Sequence, residues 1–255
     1  MEKKTKKELI KLFWIFTIAS MIGCLVETIV CIIAEGQFKI RQGVIYGPFI
    51  PVYGAGALLF YILVPKITRA TTENTKQIKN SKIFFCTMLL GGFTEYIFSY
   101  AQECLFGTVS WEYGSQLFNL NGRTSLIYCI IWGLAGIVFI KYLYPHTKKL
   151  DQFNYMNKNV QLATSIFLLF MIFNVSISSL AGYRQYERTL NVQASTKLAQ
   201  FLDKHYPDKL MDKIYSNKKS KQDLRRNEEK RTLAEKMKKE FNKVNLNKIL
   251  LLQKD

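Results

Sequence analysis

The sequence lacks the residues and motifs on which many soluble enzymes depend. It contains 2 histidines, His146 and His205, and 5 cysteines, with no HExxH motif and no CxxC pair. A zinc site or a dithiol redox centre is therefore poorly supported, and no metal site is predicted. The phosphate-binding pattern GxxxxGK(S/T) and the nucleophile motif GxSxG are also missing. We predict that the chain is not an enzyme, needs no cofactor and has no phosphate-binding loop of its own.

What the sequence does contain is a segregated distribution of apolar residues. Hydrophobic residues make up 49% of the 255 residues and aromatic residues 14%, yet the mean hydropathy is only +0.01. Several apolar runs fill the chain up to about Tyr183, separated by short charged loops, and the remainder is almost entirely polar. This composition excludes a disordered chain, a collagen-like chain and a small disulfide scaffold, and it argues against an ordinary soluble enzyme.

Five segments are long enough to cross a bilayer, which takes about 20 apolar residues. In lipid the backbone must satisfy its own hydrogen bonds, so each segment is most simply a helix. We predict an all-α, polytopic helical membrane protein with a basic segment at 1–11, a transmembrane domain at 12–180 and a charged helical region at 181–255. The first segment is longer than the usual signal-peptide core and carries Glu27, so we expect it to remain as an anchor. The spans are predicted at 12–34, 45–64, 83–100, 125–143 and 162–180.

Basic residues predict the orientation of these spans in a bacterial cell membrane. The N-terminal segment, the second-to-third connection and the fourth-to-fifth connection, with Lys141 at the helix end, hold 14 Lys and Arg. The other two connections hold 3, Lys39, Arg41 and Arg123. The N-terminus is therefore predicted to be cytoplasmic, and five crossings place the tail outside. The net charge of +17 fits contact with anionic lipid headgroups better than nucleic acid, which is not expected as a partner.

Two carboxylates lie deep within predicted spans, Glu27 in the first and Glu95 in the third. Such groups cost about 2.5–3.5 kcal/mol at a helix centre on insertion scales, so they usually face the protein interior. One interpretation is a substrate or ion pathway, and the other is a structural carboxylate that is neutral or paired with Arg41 or Arg123. On the third helix, Glu95 belongs to a polar stripe at helical spacing, made of Gly91, Glu95, Ser99, Gln102 and Glu103.

The second segment contains two prolines and several glycines, which predicts irregular backbone. A regular helix is not expected before Pro51, so 46–53 is predicted to be bent or partly unwound at membrane depth. Such backbone is tolerated only against protein or a water-filled cavity, and broken helices often build transporter sites. The alternative is a rigid loop that enters an ordinary helix with proline in its first turn.

The loop after the third span is rich in aromatic residues and ends at Arg123, which could reach a carboxylate. The sequence here resembles the bacterial family of putative type IV ABC-transporter permeases, over about 21–144. The matching residues are Arg41, Gly43, Gly47, Pro48, Pro51, Tyr53 and Gly54 in the second segment, Glu95 in the third, Trp111, Asn119, Gly122 and Arg123 in the loop, and Trp132 and Gly133 in the fourth span. The loop departs from the family pattern at Glu112 and Gly114, and Gln42 separates Arg41 from Gly43.

This resemblance implies a permease-like component of an ABC-type transporter that works with a separate ATPase subunit. Glu27, Glu95, Ser99 and Arg123 are the candidates for the substrate pathway. Two other functions stay open at this point. The chain could be an accessory or scaffold membrane protein, or a membrane-embedded enzyme if Glu27 and Glu95 approach each other. Assembly into a homo-oligomer also stays open.

The polar tail is predicted to be helical and amphipathic over 191–215, with a break at Pro207. A linker is expected at 216–222, and a further helix after it, with Leu233, Met237, Phe241 and Val244 at helical spacing. The tail either binds a partner or a lipid surface, or is a solvated helix with an ordinary apolar stripe.

Overall fold

The computed structural model describes residues 2–147, 157–220 and 229. The chain consists of two compact units, Met1–Lys218 and Lys219–Asp255. The described part of the first unit contains seven α-helices: α1 (Glu2–Glu35), α2 (Pro51–Thr68), α3 (Asn80–Phe106), α4 (Leu126–Val138), α5 (Lys158–Thr189), α6 (Lys197–His205) and α7 (Asp208–Ile214). A π-helical turn (Phe139–Leu143) and a 3₁₀ turn (Tyr144–His146) extend α4, and another 3₁₀ turn lies at Thr75–Gln77. The short strands are β1 (Thr108–Val109), β2 (Asn119–Leu120), β3 (Thr124–Ser125) and, in the second unit, β4 (Lys219–Ser220).

The predicted all-α polytopic fold is confirmed, because five helices are long and apolar enough to cross a membrane. These stretches are Thr5–Ala34, Pro51–Thr68, Asn80–Phe106, Leu126–His146 and Lys158–Thr189. Most apolar side chains of α4 and α5, such as Ile127 and Leu169, are exposed on the outside of the protein. Outward-facing apolar residues of this kind suit contact with lipid, whose interior is as apolar as the side chains themselves.

Local signals set the helix ends. The side chain of Asn157 accepts a hydrogen bond from Asn159 N at 2.9 Å at the start of α5, and Thr196 caps α6 through Ala199 N at 3.1 Å. Helix α3 ends at Gly107, which has a φ of 61° and donates its N–H to the Glu103 carbonyl at 2.9 Å. Glycine favours this position because a left-handed residue closes the helix without a Cβ clash.

Glycines bring α3 and α4 into close contact. A Cβ placed on Gly136 would overlap Thr87 of α3, and one placed on Gly91 would overlap Trp132 of α4. Small residues at these sites let the two helices approach closely, as is common in membrane bundles. A buried cluster on α2, α3 and the π-helical turn after α4 consists of Phe60, Val64, Ile83 and Ile140.

The segment before α2 is irregular, as its prolines predict, but the bend predicted over 46–53 ends at Ile50, because residues 51–53 already belong to α2. The helical part of the predicted span 45–64 begins at Pro51, which occupies the first turn of α2. Upstream, the backbone bends sharply enough for Gly43 N to donate to the Phe49 carbonyl at 2.8 Å, with Gly47 at a φ of 81°. We call residues 43–50 the bent segment. Its last N–H, from Ile50, donates to the Ser20 carbonyl of α1 at 3.0 Å, so α1 holds the entry to α2.

The loop between α3 and α4 forms a small β-hairpin in which Asn119 pairs with Ser125 and Leu120 with Thr124. Asn121 and Gly122 form the turn, with φ values of 54° and 67°. An Asn-Gly pair suits this turn because both positions need positive φ. The hairpin brings Thr124 back to the end of α3, where the polar stripe ends.

Helices α6 and α7 pack against the end of α5 and the bent segment. The region predicted to be helical over 191–215 is helical from Lys197, with a break at Tyr206–Pro207, whereas 191–196 is not helical. Leu202 and Met211 are buried with Ile45, Ile177 and Ala181 in one hydrophobic cluster. The tail up to Lys218 thus belongs to the same compact unit as the spans. The further helix with Leu233, Met237, Phe241 and Val244 lies outside the described residues.

Candidate functional site

Glu27 faces α2 from α1. Its carboxylate accepts a hydrogen bond from the Tyr53 hydroxyl at 2.6 Å. The two helices can come this close because Gly23 has no side chain where the Tyr53 ring lies. The other face of Tyr53 packs on Trp132 of α4, with ring centroids 5.4 Å apart. Three spans therefore fix the position of the Tyr53 hydroxyl on Glu27.

Glu95 is buried in α3 and is held by the loop between α3 and α4 (107–125). We call it the outer loop, because the distribution of basic residues predicts that it faces the outside. Its two oxygens accept hydrogen bonds from the Tyr113 hydroxyl at 3.0 Å and from the Thr124 hydroxyl at 2.8 Å. Tyr113 stacks on Tyr128, with ring centroids 4.1 Å apart. Burial, and next the nearby Glu95 carboxylate, hold the pKa of Tyr113 well above its ordinary value. Tyr113 therefore keeps its proton and remains a hydrogen-bond donor to Glu95.

Glu27 and Glu95 belong to one polar region, although each has its own hydrogen-bond donors. Both carboxylates interact electrostatically with Tyr53, and both also act on Tyr113. The region lies between α1, α2, α3 and the start of α4, next to the bent segment. Its hydroxyl groups, from Tyr53, Tyr113 and Thr124, can each support a carboxylate in either protonation state.

Arg123 binds Glu103 and does not form the pair with Glu95 that we considered from the sequence. Its Nη2 lies 2.5 Å from Glu103 Oε2, and its Nη1 lies 3.5 Å from Ser99 Oγ. The guanidinium also lies over the rings of Tyr96 and Tyr100, at 5.8 and 5.3 Å. The four pathway candidates thus form two groups. Glu27 and Glu95 share contacts with Tyr53 and Tyr113, whereas Ser99, which is also buried, lies one turn after Glu95 and contacts Arg123.

The other motif residues shape the backbone around this region. Trp111 Nε1 donates to the Arg123 carbonyl at 2.8 Å, and Asn119 accepts from Gly122 N at 2.9 Å. These bonds fix the loop that supplies Tyr113 and Thr124. In the second segment, Gly43, Gly47, Pro48 and Pro51 form the bend, and Gly54 lets α2 approach Phe16 and Ser20 of α1. The backbone N–H of Arg41 donates to Thr28 Oγ1 at 3.2 Å, before the bend begins.

Two residues of α5 that were not predicted from the sequence form hydrogen bonds with the N–H and C=O groups of the bent segment. Asn174 accepts from Tyr46 N at 3.0 Å and donates to the Tyr46 carbonyl at 2.6 Å. Ser178 accepts from Ile45 N at 2.9 Å. Both side chains are buried in a largely apolar stretch of α5, and their four-residue spacing places them on one face. That spacing of polar residues within an apolar span was the signal that could have revealed them.

A cavity of about 300 Å³ lies next to the bent segment. On one side it is bounded by the bent segment, the start of α2 and the α5 face that carries Ser178. On the other side lie the C-terminal part of α3, the loop after α3 and the end of the tail. The residues that line it include Val44, Ile50, Phe98, Gln102, Trp111 and Lys218. Gln102 is the member of the polar stripe that lines the cavity. This volume is at the lower end of the range of about 300–1,000 Å³ typical of ligand pockets.

Within the described residues, no group of three or more His, Cys, Asp or Glu side chains could hold a metal ion. The polar atoms near the bent segment are mainly amides, hydroxyls and single carboxylates. This chemistry suits the binding and orientation of a small molecule.

Comparison with known proteins places the chain in a family. A family model described as "Putative ABC-transporter type IV" matches residues 14–179, more than half of the chain. The chain belongs to this family. The resemblance inferred from the sequence motifs is thereby confirmed, and the matched range includes the bent segment, both interior carboxylates and the outer loop. Helices α6 and α7 lie beyond the range that matches the type IV family. No curated protein and no solved structure matches the chain.

Proposed function

We propose that the chain is the membrane-embedded, permease-like component of an ABC-type transporter in a bacterial cell membrane. The observation that carries this proposal is the bent segment, because it combines irregular backbone among apolar spans with an adjacent cavity. Backbone of this kind is expected only where it is covered by protein or lines a cavity. In transporters such discontinuous segments commonly form substrate sites.

In this proposal the cavity is the substrate site, and the interior carboxylates lie beside the pathway. Asn174 and Ser178 of α5 hold the bend at its N–H and C=O groups, so a movement of α5 relative to α2 would change the cavity directly. Glu27 and Glu95 would respond to the same movement, because Tyr53 follows the bend and Tyr113 belongs to the loop beside the cavity. Alternating access would then be a change in this packing.

A separate chain would supply the ATPase, since the sequence contains no phosphate-binding loop. In this proposal the chain is not itself an enzyme. The N-terminus, the loop between α2 and α3, and the segment after α4 would face the cytoplasm, where the basic residues favour them and where an ATPase subunit would bind. The outer loop and the tail would face the opposite side.

The proposal is tested by purification from the native membrane under several mild, non-ionic detergents. The expected result is a stoichiometric ATPase that co-purifies with the chain and hydrolyses ATP in the complex. The control is an unrelated multi-pass protein with the same affinity tag, taken from the same membrane. If no ATPase co-purifies in any of the detergents, the assignment to an ABC-type transporter is wrong.

A second candidate is an accessory or scaffold protein, which one observation favours. Leu117 and Phe118, which precede the hairpin of the outer loop, are 81% and 82% exposed, and Phe38 in the connection between α1 and α2 is also exposed. Large apolar side chains in loops outside the spans are typical of surfaces that contact other proteins or lipid. Recovery of a stable partner without nucleotide turnover would favour this function over transport.

A further inference from the structure

The cavity beside the bent segment contains one charged side chain among the residues that line it, Lys218. Lys218 follows α7 and is only partly accessible to solvent. The neighbouring Asn217 donates to the Ser110 carbonyl at 3.0 Å, which fixes this end of the tail against the outer loop. The ammonium group is therefore held at a defined place in the cavity wall.

The charge of Lys218 is only indirectly compensated by the protein. Lys218 Nζ donates to Gln185 Oε1, and Gln185 Nε2 donates to Asp212 Oδ1 at 2.8 Å. No described carboxylate lies within ion-pair distance of the ammonium, and none of the lining residues is acidic. Burial lowers the pKa of Lys218, with a smaller opposing effect from Asp212 and Asp208. A partly buried cation of this kind is stabilised when an anion supplies the missing partner.

Polar groups near Lys218 could complete an anion site. Ser110 Oγ donates to Gln102 Oε1 at 2.9 Å, and Gln102 Nε2 lies 3.5 Å from the Thr108 hydroxyl. Because Thr108 is the acceptor in this contact, its own hydroxyl proton is available to a ligand. These three residues and Lys218 all line the cavity.

The rest of the cavity is apolar and opens towards the outer surface of the spans. Leu105 of α3 and Val175 of α5 line the cavity and yet are 57% and 42% exposed. Phe98, Phe106 and Val44 form the apolar wall between them. In a membrane the exposed faces of α3 and α5 would contact lipid, so an apolar chain could enter the cavity from the side without crossing water.

From this arrangement we infer that the cavity binds an anionic single-chain amphiphile, with its carboxylate or phosphate headgroup on Lys218 and its chain along Phe98 and Val175. The inference rests on the proposed function only for the role of this molecule as the transported substrate. The binding site itself is defined by the charge, the apolar wall and the lateral opening.

The test uses the full chain, purified in non-ionic detergent without nucleotide or partner, and dodecanoic acid brominated on the carbon next to its carboxyl group. Trp111 lines the cavity, so bound probe is expected to quench its fluorescence saturably, and Trp111→Phe should remove that part of the quenching. Lys218→Met should weaken binding by about tenfold or more, because a hydrogen bond to a charged group is lost. Lys218→Arg keeps the charge and should retain most of the affinity. Lys213→Met removes an exposed lysine of α7 and should change nothing.

Competitors distinguish the possible sources of the anion. Dodecyl phosphate should displace the probe, whereas inorganic phosphate and the neutral methyl ester of dodecanoic acid should compete poorly. Equal competition by the methyl ester, or equal affinity in Lys218→Met, would overturn the role of the charge. Displacement by inorganic phosphate as strong as by dodecyl phosphate would show that the site binds a free anion. These outcomes do not depend on an ATPase, so the ligand class can fail while the proposed function stands.

Discussion

Replacement of Asp203 by asparagine tests whether ion pairs hold the tail over the bent segment. Arg184 Nε and Nη2 donate to the two Asp203 oxygens, both at 2.9 Å, and Arg188 Nη1 donates to Asp203 Oδ1 at 2.6 Å. Arg184 is 3% exposed, so it depends on its partners for compensation of its charge. We expect Asp203→Asn to loosen α6 and α7 while the five spans stay folded.

The size of this effect follows from the geometry. Removal of one partner from a fully buried ion pair costs about 3–5 kcal/mol. Asp203 is 31% exposed, and Arg184 keeps bonds to Glu187 and to the Val192 carbonyl, so the cost is smaller here. We expect a loss of about 2 kcal/mol in the free energy of docking, which raises the undocked population about thirtyfold.

Hydrogen exchange of the backbone amides in α6 and α7 measures that population, with the amides of α3 as an internal reference. Asp208→Asn is the matched control, because Asp208 is 53% exposed and binds only Arg188 among the described ion pairs. The control should cost less than about 1 kcal/mol. If Asp203→Asn exchanges no faster than Asp208→Asn, the ion pairs do not hold the tail.

Three further predictions concern pH, helix packing and the interior carboxylate. Hydrogen bonds from Arg184 hold the pKa of Asp203 below its ordinary value of 3.8. Docking of the tail should therefore be at full strength above about pH 4 and weaken as the pH falls further. Hydrogen exchange of the α6 amides relative to the α3 amides, measured between pH 5 and 3, checks this, and an unchanged ratio would contradict it. Gly136→Ala should destabilise the bundle by about 1–3 kcal/mol, because the new Cβ overlaps the buried Thr87. Gly182→Ala should be tolerated, because the nearest neighbour of its Cβ is Phe106 at 3.6 Å, and thermal unfolding of the two variants compares them. Glu95→Gln should insert normally yet reduce ATP turnover of the purified complex at least tenfold if Glu95 serves the pathway, and unchanged turnover would assign it a structural role.

The spans and the bend could be predicted from the sequence because each depends on local composition. Long apolar runs indicate helices in a membrane, and Pro48 and Pro51 remove the donors that a helix before residue 51 would need. Glu27 and Glu95 stood out because charged residues are rare in such runs.

The hydrogen-bond partners of the buried carboxylates could not be predicted, because these partners depend on how the loop between α3 and α4 folds back onto α3. Glu95 binds Tyr113 and Thr124, which are 18 and 29 residues away, and Arg123 passes Glu95 to bind Glu103. A difference of two helical turns decides which carboxylate the arginine reaches, and the sequence alone does not fix that register.

The role of the tail was also beyond the sequence. The apolar stripe of α6 and α7 is equally typical of a solvated helix and of a surface that binds a partner. In the structure, Leu202 and Met211 are buried by other parts of the same chain. This packing also brings Lys218 into the cavity wall, so the charged residue of the proposed ligand site is one that no sequence motif indicated.

The most direct test of the central claim is whether ATP changes access to the cavity. Ser179 lines the cavity, and a Ser179→Cys variant without the five native cysteines can be labelled with maleimide in native membrane vesicles. Ser81→Cys, at the exposed start of α3, is the control. A transport site that alternates between the two sides predicts that ATP changes the labelling rate of Ser179→Cys and leaves that of Ser81→Cys unchanged. Equal labelling of Ser179→Cys with and without ATP, in vesicles whose ATPases are active, would contradict the account.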